Sequence, residues 1–550
     1  MNTRFTTITS IVCFLSIATI VQAGHPVSDF FEKQVRVGQL KPDDWSKLRE
    51  LISKSTQTGE KITPEIQTAL YEIEEKHFSH FTPESQRAYR ALLAQVGGRF
   101  KNLAAATQLP SHRPPFWIES EDPIKNYRSS PTLPHQADIV IIGAGLTGTS
   151  AAYHLMNAAR SGKTVLVLEA SHPAAGASGR NGGNFQLLPE NYLGKSYDGL
   201  VNERLKWLQI RYPEKDPVTL KSEAESQAKT LVRFSFLNMD RLRKIVRDER
   251  IECDLSDSGW LKIASTPDEE KALLGELAWL QSLGAKGVEV LSPQQIQDQI
   301  HIPAHFSGRL IRGSGNYHPF KFVREVLKKT LAGGIKVYTG VEVKQVSPMR
   351  PGEVIVKTNE GEIKAGRVIV ATNAYTPLIF PELKGIQCVP SQVVTLDHMP
   401  NSLQGYTVTE RYGDIYYNFP RSTQRTDQNG KATGTLLYGL DFSEAATDPH
   451  HISPSQGLLQ EQMTQIYERY PDSAGQPPSR CWVGPMGFSD DRVPSIGFLS
   501  KDVIVAAGFQ GYGGSFCIEA GYVAAEMAMT GETPSEVPAE IFSPKRLLKK

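Results

Sequence analysis

Three glycines at fixed spacing are the residues of this chain that indicate a specific chemistry most directly. Gly143, Gly145 and Gly148 form a G-x-G-x-x-G pattern, and Glu169 follows 21 residues after the last of them. The first glycine permits a tight turn, the second lets the backbone approach a pyrophosphate, and the third lets a helix pack closely on a strand. A carboxylate at this distance can accept hydrogen bonds from ribose hydroxyls and repels a 2′-phosphate, which disfavours NADP.

The elements around these glycines are the ones that a dinucleotide site requires. Residues 137–142 are an apolar, β-branched run that predicts a buried parallel strand. Helix-forming residues follow at 149–159, and a second strand is predicted at 164–168, ending at Glu169. The helix N-terminus would direct partial positive charge at the phosphates. We predict a dinucleotide-binding unit, with a plain βαβ unit as the alternative.

A second glycine-rich loop favours FAD over NAD as the predicted cofactor. Residues 176–183 read Gly-Ala-Ser-Gly-Arg-Asn-Gly-Gly and begin seven residues after Glu169. Small residues with one cation, Arg180, suit a chain that passes against a pyrophosphate and a ring system. We therefore expect FAD, and a flexible surface loop is the alternative.

Near the C-terminus, a strand again runs through a glycine-rich turn into a helix. The strand is predicted at 503–507, the turn at 508–514 and the helix at 515–529. Such a turn directs the first N–H groups of the helix at a bound group that is negatively charged when reduced. A reduced flavin meets that requirement.

Taken in order, these motifs resemble those of the D-amino-acid-oxidase-like FAD-dependent oxidoreductases. The loop at 177–183 is most similar to that of the gamma-glutamylputrescine oxidase branch. Further likeness is found at 318–319, 339–343, 368–374, 415–420, 482–484 and 491–497. The resemblance implies an α/β plus α+β fold, in which a Rossmann-like FAD-binding domain is interleaved with an antiparallel-sheet substrate domain.

The chain is expected to divide into four parts. Residues 1–23 read as a signal peptide, 24–108 as a helical extension, 109–135 as a proline-rich linker and 136–546 as the oxidoreductase. In the extension, helix starts are predicted at Thr63 and Thr82. The segments expected to bind FAD are about 136–200, 315–375 and 480–546, and those expected to form the substrate domain are about 201–314 and 376–479.

The N-terminal segment indicates where the protein is located, and the net charge indicates which partners it can bind. The apolar run at 11–21 would span only about 16 Å as a helix, too short for a bilayer. We expect a cleaved signal and an exported, periplasmic or secreted protein; tethering by an uncleaved segment is the alternative. A net charge of +1 indicates no nucleic-acid partner. The four cysteines outside the signal are widely spaced, and we expect unpaired thiols and no metal site.

The motifs and the resemblance together assign a set of cofactor-binding residues. The backbone of Val343 is expected to contact the adenine, as the resemblance implies. The full set is Gly143, Ala144, Gly145, Leu146, Thr147, Gly148, Glu169, Ala170, Ser178, Gly179, Arg180, Asn181, Gly182, Gly183, Val343, Ala371, Thr372, Gly508, Phe509, Gln510, Gly511, Tyr512 and Gly513.

The resemblance implies hydride transfer from the C–H beside an amine to flavin N5, followed by hydrolysis of the imine. The flavin supplies this chemistry, and the protein supplies geometry and electrostatics. Candidate substrate-contacting residues are Tyr416, Tyr417, Arg421, Gln510 and Tyr512. Structural roles compete for some of these side chains: Tyr416 and Tyr417 alternate faces on a strand, and Arg421 can be a solvated loop residue. His318 is expected to cap a helix rather than to act as a base.

Three departures from the family pattern restrict the chemistry. Where glycine-oxidase-like members have an arginine that clamps the substrate carboxylate, this chain has Met486. The oxygen-activating lysine of sarcosine-oxidase-like members would fall at 435–439, and no lysine lies there. Where some relatives tether the flavin through cysteine, this chain has Val483 or Gly484, which favours noncovalent FAD.

Three hypotheses follow from these residues. The first is an FAD-dependent oxidase of a small amine, such as a polyamine derivative or a secondary amine. The second is an FAD-dependent dehydrogenase of an amine, amino acid or hydroxy acid that passes electrons to a quinone or carrier protein. The third is a flavin-binding protein without enzymatic activity, because fold alone does not establish catalysis.

Overall fold

The computed structural model describes residues 26–548 with gaps. The gaps are 37, 39, 59–72, 74–76, 78–103, 106, 112–113, 119–123, 186, 189–196, 258, 265–266, 286, 301–303, 305, 401–406, 411–415, 419–424, 427–431, 443, 470–474 and 535–536. The predicted signal peptide, the helix starts at Thr63 and Thr82, and Arg421 lie outside the described residues.

The chain forms two compact units, residues 1–106 with 470–474 and residues 107–469 with 475–550. The first unit contains α1 (Pro26–Arg36) and α2 (Pro42–Thr58). Phe31 of α1 stacks on Trp45 of α2 with ring centroids 4.8 Å apart, and both side chains are buried. The described part of the predicted extension is thus helical.

The second unit contains all the described strands and the remaining helices. Its strands are β1 (Gln136–Ile142), β2 (Val165–Glu169), β3 (Asn184–Phe185), β4 (Trp260–Ile263), β5 (Val288–Leu291), β6 (Gly308–Ile311), β7 (Gly315–Asn316), β8 (Lys336–Thr339), β9 (Val343–Arg350), β10 (Glu353–Thr358), β11 (Gly361–Val370), β12 (Ile386–Pro400), β13 (Thr407–Glu410), β14 (Tyr416–Asn418), β15 (Arg425–Thr426), β16 (Ala432–Asp441), β17 (Arg480–Ser489), β18 (Ser495–Ser500) and β19 (Val503–Ala507). Its helices are α3 (Leu146–His154), α4 (Met156–Arg160), α5 (Tyr197–Arg211), α6 (Pro217–Glu249), α7 (Pro267–Gly275), α8 (Leu277–Ser282), α9 (Pro293–Ile300), α10 (Pro319–Ala332), α11 (Thr376–Ile379), α12 (Gln456–Arg469), α13 (Gly513–Thr530) and α14 (Ala539–Phe542).

One sheet has a parallel centre with the order β18-β19-β11-β1-β2-β8. β1 pairs in parallel with β11 and β2, which pair in parallel with β19 and β8. Val140 and Ile141 of β1 are fully buried, as expected for a strand covered on both faces. β9 and β10 continue from β11 as an antiparallel ribbon. Because parallel strands end at one edge, the residues that follow β1, β2, β11 and β19 come together.

Helices pack on one another around this sheet. α10 and α13 pack on α3, and α6 packs on α13. The helix predicted at 149–159 is present as α3 and α4, which are separated at Leu155, and the helix predicted at 515–529 begins two residues earlier, at Gly513. No helix in the described part of the chain is both long and apolar enough to cross a membrane.

A second sheet has the order β17-β12-β16-β14-β13-β4-β6-β5, with β15 attached to β16. Its pairs are antiparallel except β13 with β4. The long strand β12 lies between β16 and β17, and its Val394 and Leu396 are fully buried. β17 falls within the segment 480–546 that was assigned to FAD binding, and it pairs here in the second sheet. The two sheets confirm the predicted α/β plus α+β fold class.

Candidate cofactor and substrate site

A cavity of about 640 Å³ lies where the two sheets meet. One side consists of the residues that follow β1, β2, β11 and β19, together with the loop 175–184; we call this side the glycine-rich half. The other side consists of cavity-lining residues of β12, β16 and β17, which we call the sheet wall. Ligands of open α/β sheets bind at the carboxyl ends of the strands, and this cavity opens there.

The first glycine turn is shaped by two close approaches. Gly143 has φ +99°, and a Cβ there would lie 2.7 Å from the carbonyl oxygen of Ala371. A Cβ on Gly148 would lie 1.9 Å from the carbonyl oxygen of Gly143. The glycines are therefore required for the turn after β1 and for the contact between α3 and this turn, which are the tasks that the spacing predicted.

Glu169 lies at the end of β2 and connects the turn to the cavity. Its Oε2 accepts a hydrogen bond from the N–H of Ala144 at 2.9 Å, and its Oε1 accepts one from the N–H of Ser171 at 2.9 Å. Burial raises the pKa of this carboxyl, while backbone hydrogen bonds oppose the shift. A carboxylate held in this way beside the glycine turn is in a suitable position for a ribose.

The second glycine-rich loop is attached to the sheet wall. Arg180 donates from Nη1 to the carbonyl oxygen of Val483 at 2.9 Å and from Nε to that of Ala175 at 2.8 Å. Trp482 returns a hydrogen bond from Nε1 to the carbonyl oxygen of Arg180 at 3.0 Å. Trp117 of the linker donates to the carbonyl oxygen of Asn181 at 2.6 Å. Arg180 thus has a bracing role in addition to lining the cavity.

The C-terminal turn is held by Gln510, a non-glycine residue with φ +57°. Its Nε2 donates to Ser489 Oγ at 2.7 Å and to the carbonyl oxygen of Gly508, and its Oε1 accepts from the N–H of Ser489. The residue is 2% exposed. The Gln510 side chain therefore connects the end of β17 to the turn through hydrogen bonds. The sequence predicted this residue as a contact of the substrate and of the cofactor.

Most of the predicted cofactor residues line this one cavity. They are Gly143, Gly145, Leu146, Thr147, Glu169, Ala170, Ser178, Arg180, Asn181, Gly182, Val343, Ala371, Thr372, Phe509, Gln510, Gly511, Tyr512 and Gly513. The predicted residues Ala144, Gly148, Gly179, Gly183 and Gly508 lie beside the cavity in sequence but do not line it. Gly148 supports the turn through its contact with Gly143.

The sheet wall is formed by alternating residues of three strands. Its alternating members are Ser391 and Val393 of β12, Leu437, Gly439 and Asp441 of β16, and Gly484, Met486 and Phe488 of β17, and Pro485 of β17 also lines the cavity. Spacing of two places such residues on one face of a strand. In the described lining the strongly basic residues are Arg180 and Arg492, and no lysine is present.

The predicted substrate tyrosines lie on the strand next to this wall. In β14, Tyr416 pairs with Gly439 and Tyr417 with Tyr438, and Gly439 lines the cavity. Tyr512 lines the cavity and immediately precedes α13. Arg421 lies outside the described residues.

Several cavity residues were not found from the sequence. Trp260, Tyr375, Asp441, His450 and Arg492 line the cavity from five separate parts of the chain. Tyr375 and His450 are in ring contact at 4.8 Å, and burial raises the pKa of Tyr375 to about 12. Of these residues, Arg492 lies within the motif at 491–497. Its guanidinium lies 5.0 Å from the Phe488 ring centroid.

His318 caps a helix, and the four cysteines outside the predicted signal peptide are unpaired. His318 Nδ1 accepts a hydrogen bond from the N–H of Lys321 at 3.2 Å, so it caps α10, as predicted. Burial lowers its pKa to about 4. Cys253, Cys388, Cys481 and Cys517 are free thiols.

The N-termini of two helices, α3 and α13, lie at the cavity and indicate whether its lining residues fit FAD. α3 follows Gly145 and α13 follows Tyr512, and neither preceding residue supplies a side-chain cap, although the first N–H of α3, that of Leu146, donates to Ser178 Oγ at 2.9 Å. The first N–H groups of a helix need acceptors, which phosphate and other anionic groups provide. With the Glu169 carboxylate and the glycine turn in the same cavity, the donor and acceptor set fits a dinucleotide.

Comparison with known proteins assigns the chain to a family. The family model for FAD dependent oxidoreductases matches residues 138–527. The chain belongs to this family and is an FAD-dependent oxidoreductase, so the predicted cofactor is confirmed.

Individual relatives agree with the resemblance found in the motifs. The chain is 27% identical over 395 residues to gamma-glutamylputrescine oxidoreductase of Escherichia coli (strain K12), covering 71% of this chain and 83% of that protein. It is 22% identical over 410 residues to N-methyl-L-tryptophan oxidase of the same strain, covering 71% and 94%.

Solved structures share the fold. L-proline dehydrogenase from P. horikoshii has a TM-score of 0.58 and 21% identity, covering 75% of this chain and 98% of that chain. Glycine oxidase from Geobacillus kaustophilus has a TM-score of 0.56 and 18% identity, covering 75% and 99%.

Proposed function

We propose that this enzyme oxidises a C–N bond of a small amine, such as a polyamine derivative or a secondary amine. Met486 carries the proposal, because it lines the cavity and because the resemblance implies that it replaces the carboxylate-clamping arginine of glycine-oxidase-like members. A thioether offers no charge-assisted hydrogen bond to a carboxylate. The names of two relatives, gamma-glutamylputrescine oxidoreductase and N-methyl-L-tryptophan oxidase, also refer to amine-containing compounds.

In this proposal, FAD held by the glycine-rich half would supply the acceptor for a hydride from the carbon beside the amine. The residues of the chain hold the substrate and exclude water. Leu437, Met486 and Phe488 give the sheet wall an apolar surface suited to an alkyl chain. Apolar surroundings favour the neutral amine, which is the form with a lone pair available. The uncapped start of α13 favours negative charge in the cavity.

FAD is proposed to bind noncovalently. Cys481, the cysteine nearest to the tethering position of some relatives, is not part of the described lining. Burial raises the pKa of its thiol to about 12, so the nucleophilic thiolate is scarce at neutral pH. Denaturing the enzyme should release all its flavin into the supernatant; flavin that stays with the precipitated chain would contradict this.

The electron acceptor defines a second candidate function, a dehydrogenase that uses a quinone or carrier protein. The absence of lysine from the described lining favours it, because relatives of the sarcosine oxidase type use a lysine to activate oxygen. Peroxide release during turnover in air supports the oxidase. Slow reoxidation in air together with fast reoxidation by a soluble quinone supports the dehydrogenase.

Export is proposed from the N-terminal segment, which lies outside the described residues. The mature chain isolated from its producing cells should begin near Gly24. An intact N-terminus in the membrane fraction would support tethering instead.

Anaerobic reduction of the flavin tests the proposed reaction. The purified holoenzyme is mixed with polyamines, gamma-glutamylated polyamines, N-methyl amino acids and D-amino acids, and bleaching of the flavin absorbance is followed. We expect amines without an α-carboxylate next to the reacting nitrogen to bleach it fastest. If α-amino acids alone bleached the flavin, the interpretation that Met486 replaces a carboxylate clamp would be wrong. If none of the compounds bleached it, the proposal of amine oxidation would be wrong.

A further inference from the structure

Asp441 is an acidic residue of the sheet wall that the proposed reaction does not use. It is the last residue of β16, and it pairs with Ser391 of β12, which pairs in turn with Gly484 of β17. All three residues line the cavity, and the side chain of Asp441 is accessible. A carboxylate is thus displayed at one end of a wall whose other side chains are mostly apolar.

The other acidic residues of the described lining already have partners. Glu169 accepts hydrogen bonds from the backbone N–H groups of Ala144 and Ser171. Glu342 forms an ion pair with Lys344 at 2.6 Å. Glu169 belongs to the glycine-rich half and Glu342 lies between β8 and β9, whereas Asp441 belongs to the sheet wall.

The described surroundings of Asp441 do not compensate its charge. Desolvation by the protein around the cavity raises the pKa of its carboxyl even though the side chain is accessible from the cavity, and the opposing influence is a hydrogen bond from the Ser391 side chain. No cationic side chain in the described part of the chain is among the groups that shift this pKa. A cation that enters the cavity would therefore gain more from this carboxylate than from one that already has a basic partner.

We propose that Asp441 binds a second, non-reacting ammonium group of the substrate, so that the enzyme selects diamines and longer polyamines over monoamines. This inference rests on the proposed oxidation of amines. The reacting nitrogen must be neutral, and it is separated from the carboxylate by the apolar part of the wall. Gly439 and Leu437 lie two and four residues before Asp441 on the same face, which corresponds to roughly 7 and 13 Å along the strand. With one neutral and one charged end, a short diamine such as 1,4-diaminobutane can span the shorter of these distances, and longer polyamines can span the other.

The test compares substrates of equal length that differ in the second amine. The holoenzymes of wild type and Asp441→Asn are reduced anaerobically with 1,4-diaminobutane and with butylamine, and the rate of flavin bleaching is measured against concentration. For wild type we expect the concentration giving half the maximal rate to be about 10- to 100-fold lower for the diamine. In Asp441→Asn this advantage should disappear through loss of diamine affinity, with little change for butylamine.

Two further variants make the result specific. Asp490→Asn removes a carboxylate just after β17 that does not line the cavity, and it should retain the preference for the diamine. Asp441→Glu keeps the negative charge and should retain part of the preference for the diamine over butylamine. Flavin content is checked for each variant, because loss of cofactor would affect both substrates equally.

The outcomes separate this inference from the proposed function. If wild type oxidises both amines with equal affinity, or if Asp441→Asn keeps its preference for the diamine, the role of Asp441 is wrong while amine oxidation stands. If no amine in the wider panel bleaches the flavin, amine oxidation itself is wrong, and the role of Asp441 is overturned with it.

Discussion

The two sides of the cavity are built in different ways. The glycine-rich half depends on backbone atoms: turns at Gly143 and Gly508, helix starts at Leu146 and Gly513, and one carboxylate braced by N–H groups. The sheet wall depends on side chains from β12, β16 and β17, aligned by strand pairing. The first side fits a cofactor common to a whole family, and the second is the side on which we expect substrates to differ.

This difference determines how each side tolerates change. A backbone cradle admits few substitutions, because a Cβ at its close contacts would overlap other backbone atoms. A wall of side chains can exchange one residue for another without moving the strands that carry it. Mutations in the glycine-rich half should therefore remove FAD, whereas mutations in the sheet wall should change the substrate.

The largest effect is expected for Gly148→Ala. The added methyl group would lie 1.9 Å from the carbonyl oxygen of Gly143 and would push α3 away from the turn. We expect the purified variant to retain less than about a tenth of the wild-type flavin, measured as the ratio of flavin to protein absorbance. The matched control is Gly275→Ala at the end of α7, where a Cβ meets no atom within 4 Å. Full flavin content in Gly148→Ala would show that the close contact is not required.

The same contrast explains what the sequence could predict. The strand at 137–142 is observed as β1 (Gln136–Ile142), and Glu169 ends β2 as expected. These predictions succeeded because a dinucleotide cradle is encoded within about 35 consecutive residues. The C-terminal turn was found for the same reason, since strand, glycines and helix follow one another directly.

The sheet wall could not be predicted in this way. Asp441 lies opposite Ser391, 50 residues earlier in the chain, and this register depends on the pairing of whole strands. Nothing in the local pattern around Asp441 distinguishes it from an ordinary surface acid. Gln510 illustrates the opposite case: its position in the motif was evident, whereas its role in bracing Ser489 required coordinates.

Glu169→Gln should have the next largest effect. Glutamine keeps one oxygen but turns an amide NH₂ toward one of the two N–H donors of Ala144 and Ser171. Hydrogen bonds to a charged group contribute about 1.5–3 kcal/mol, so we expect the Kd for FAD to rise about 10- to 100-fold. Fluorescence titration of the apoprotein with FAD measures it. Glu342→Gln, which changes another cavity-lining carboxylate that is paired with Lys344, is the control, and equal losses in both variants would argue against a specific role of Glu169.

Met486→Arg probes the sheet wall and should leave FAD in place. The guanidinium would restore the carboxylate clamp of glycine-oxidase-like members, so we expect kcat/KM for glycine and sarcosine to rise about tenfold and that for amines to fall. Met486→Leu keeps the apolar wall and should leave both values close to those of wild type. If the ratio of kcat/KM for glycine and sarcosine to kcat/KM for amines were unchanged in Met486→Arg, this position would not contact the substrate.

The smallest effect is expected at His318, which belongs to the framework between the two sides. Burial lowers its pKa to about 4, below the value of about 6.5 in an unfolded chain. The unfolded chain therefore binds more protons between these values, and the stability of wild type falls as the pH decreases from about 6.5 toward 4. Asparagine keeps an acceptor for the Lys321 N–H and does not titrate.

His318→Asn should consequently gain stability over wild type in acid. We expect its thermal midpoint, followed by flavin release, to rise relative to wild type by roughly 2 °C between pH 7.5 and pH 5, corresponding to about 2 kcal/mol. His318→Ala also removes the titration but loses the cap, so it should be less stable than His318→Asn at both pH values. If the difference between His318→Asn and wild type were independent of pH, the buried histidine would not be a source of acid sensitivity. A large loss of turnover in His318→Asn with flavin intact would instead assign His318 to the reaction.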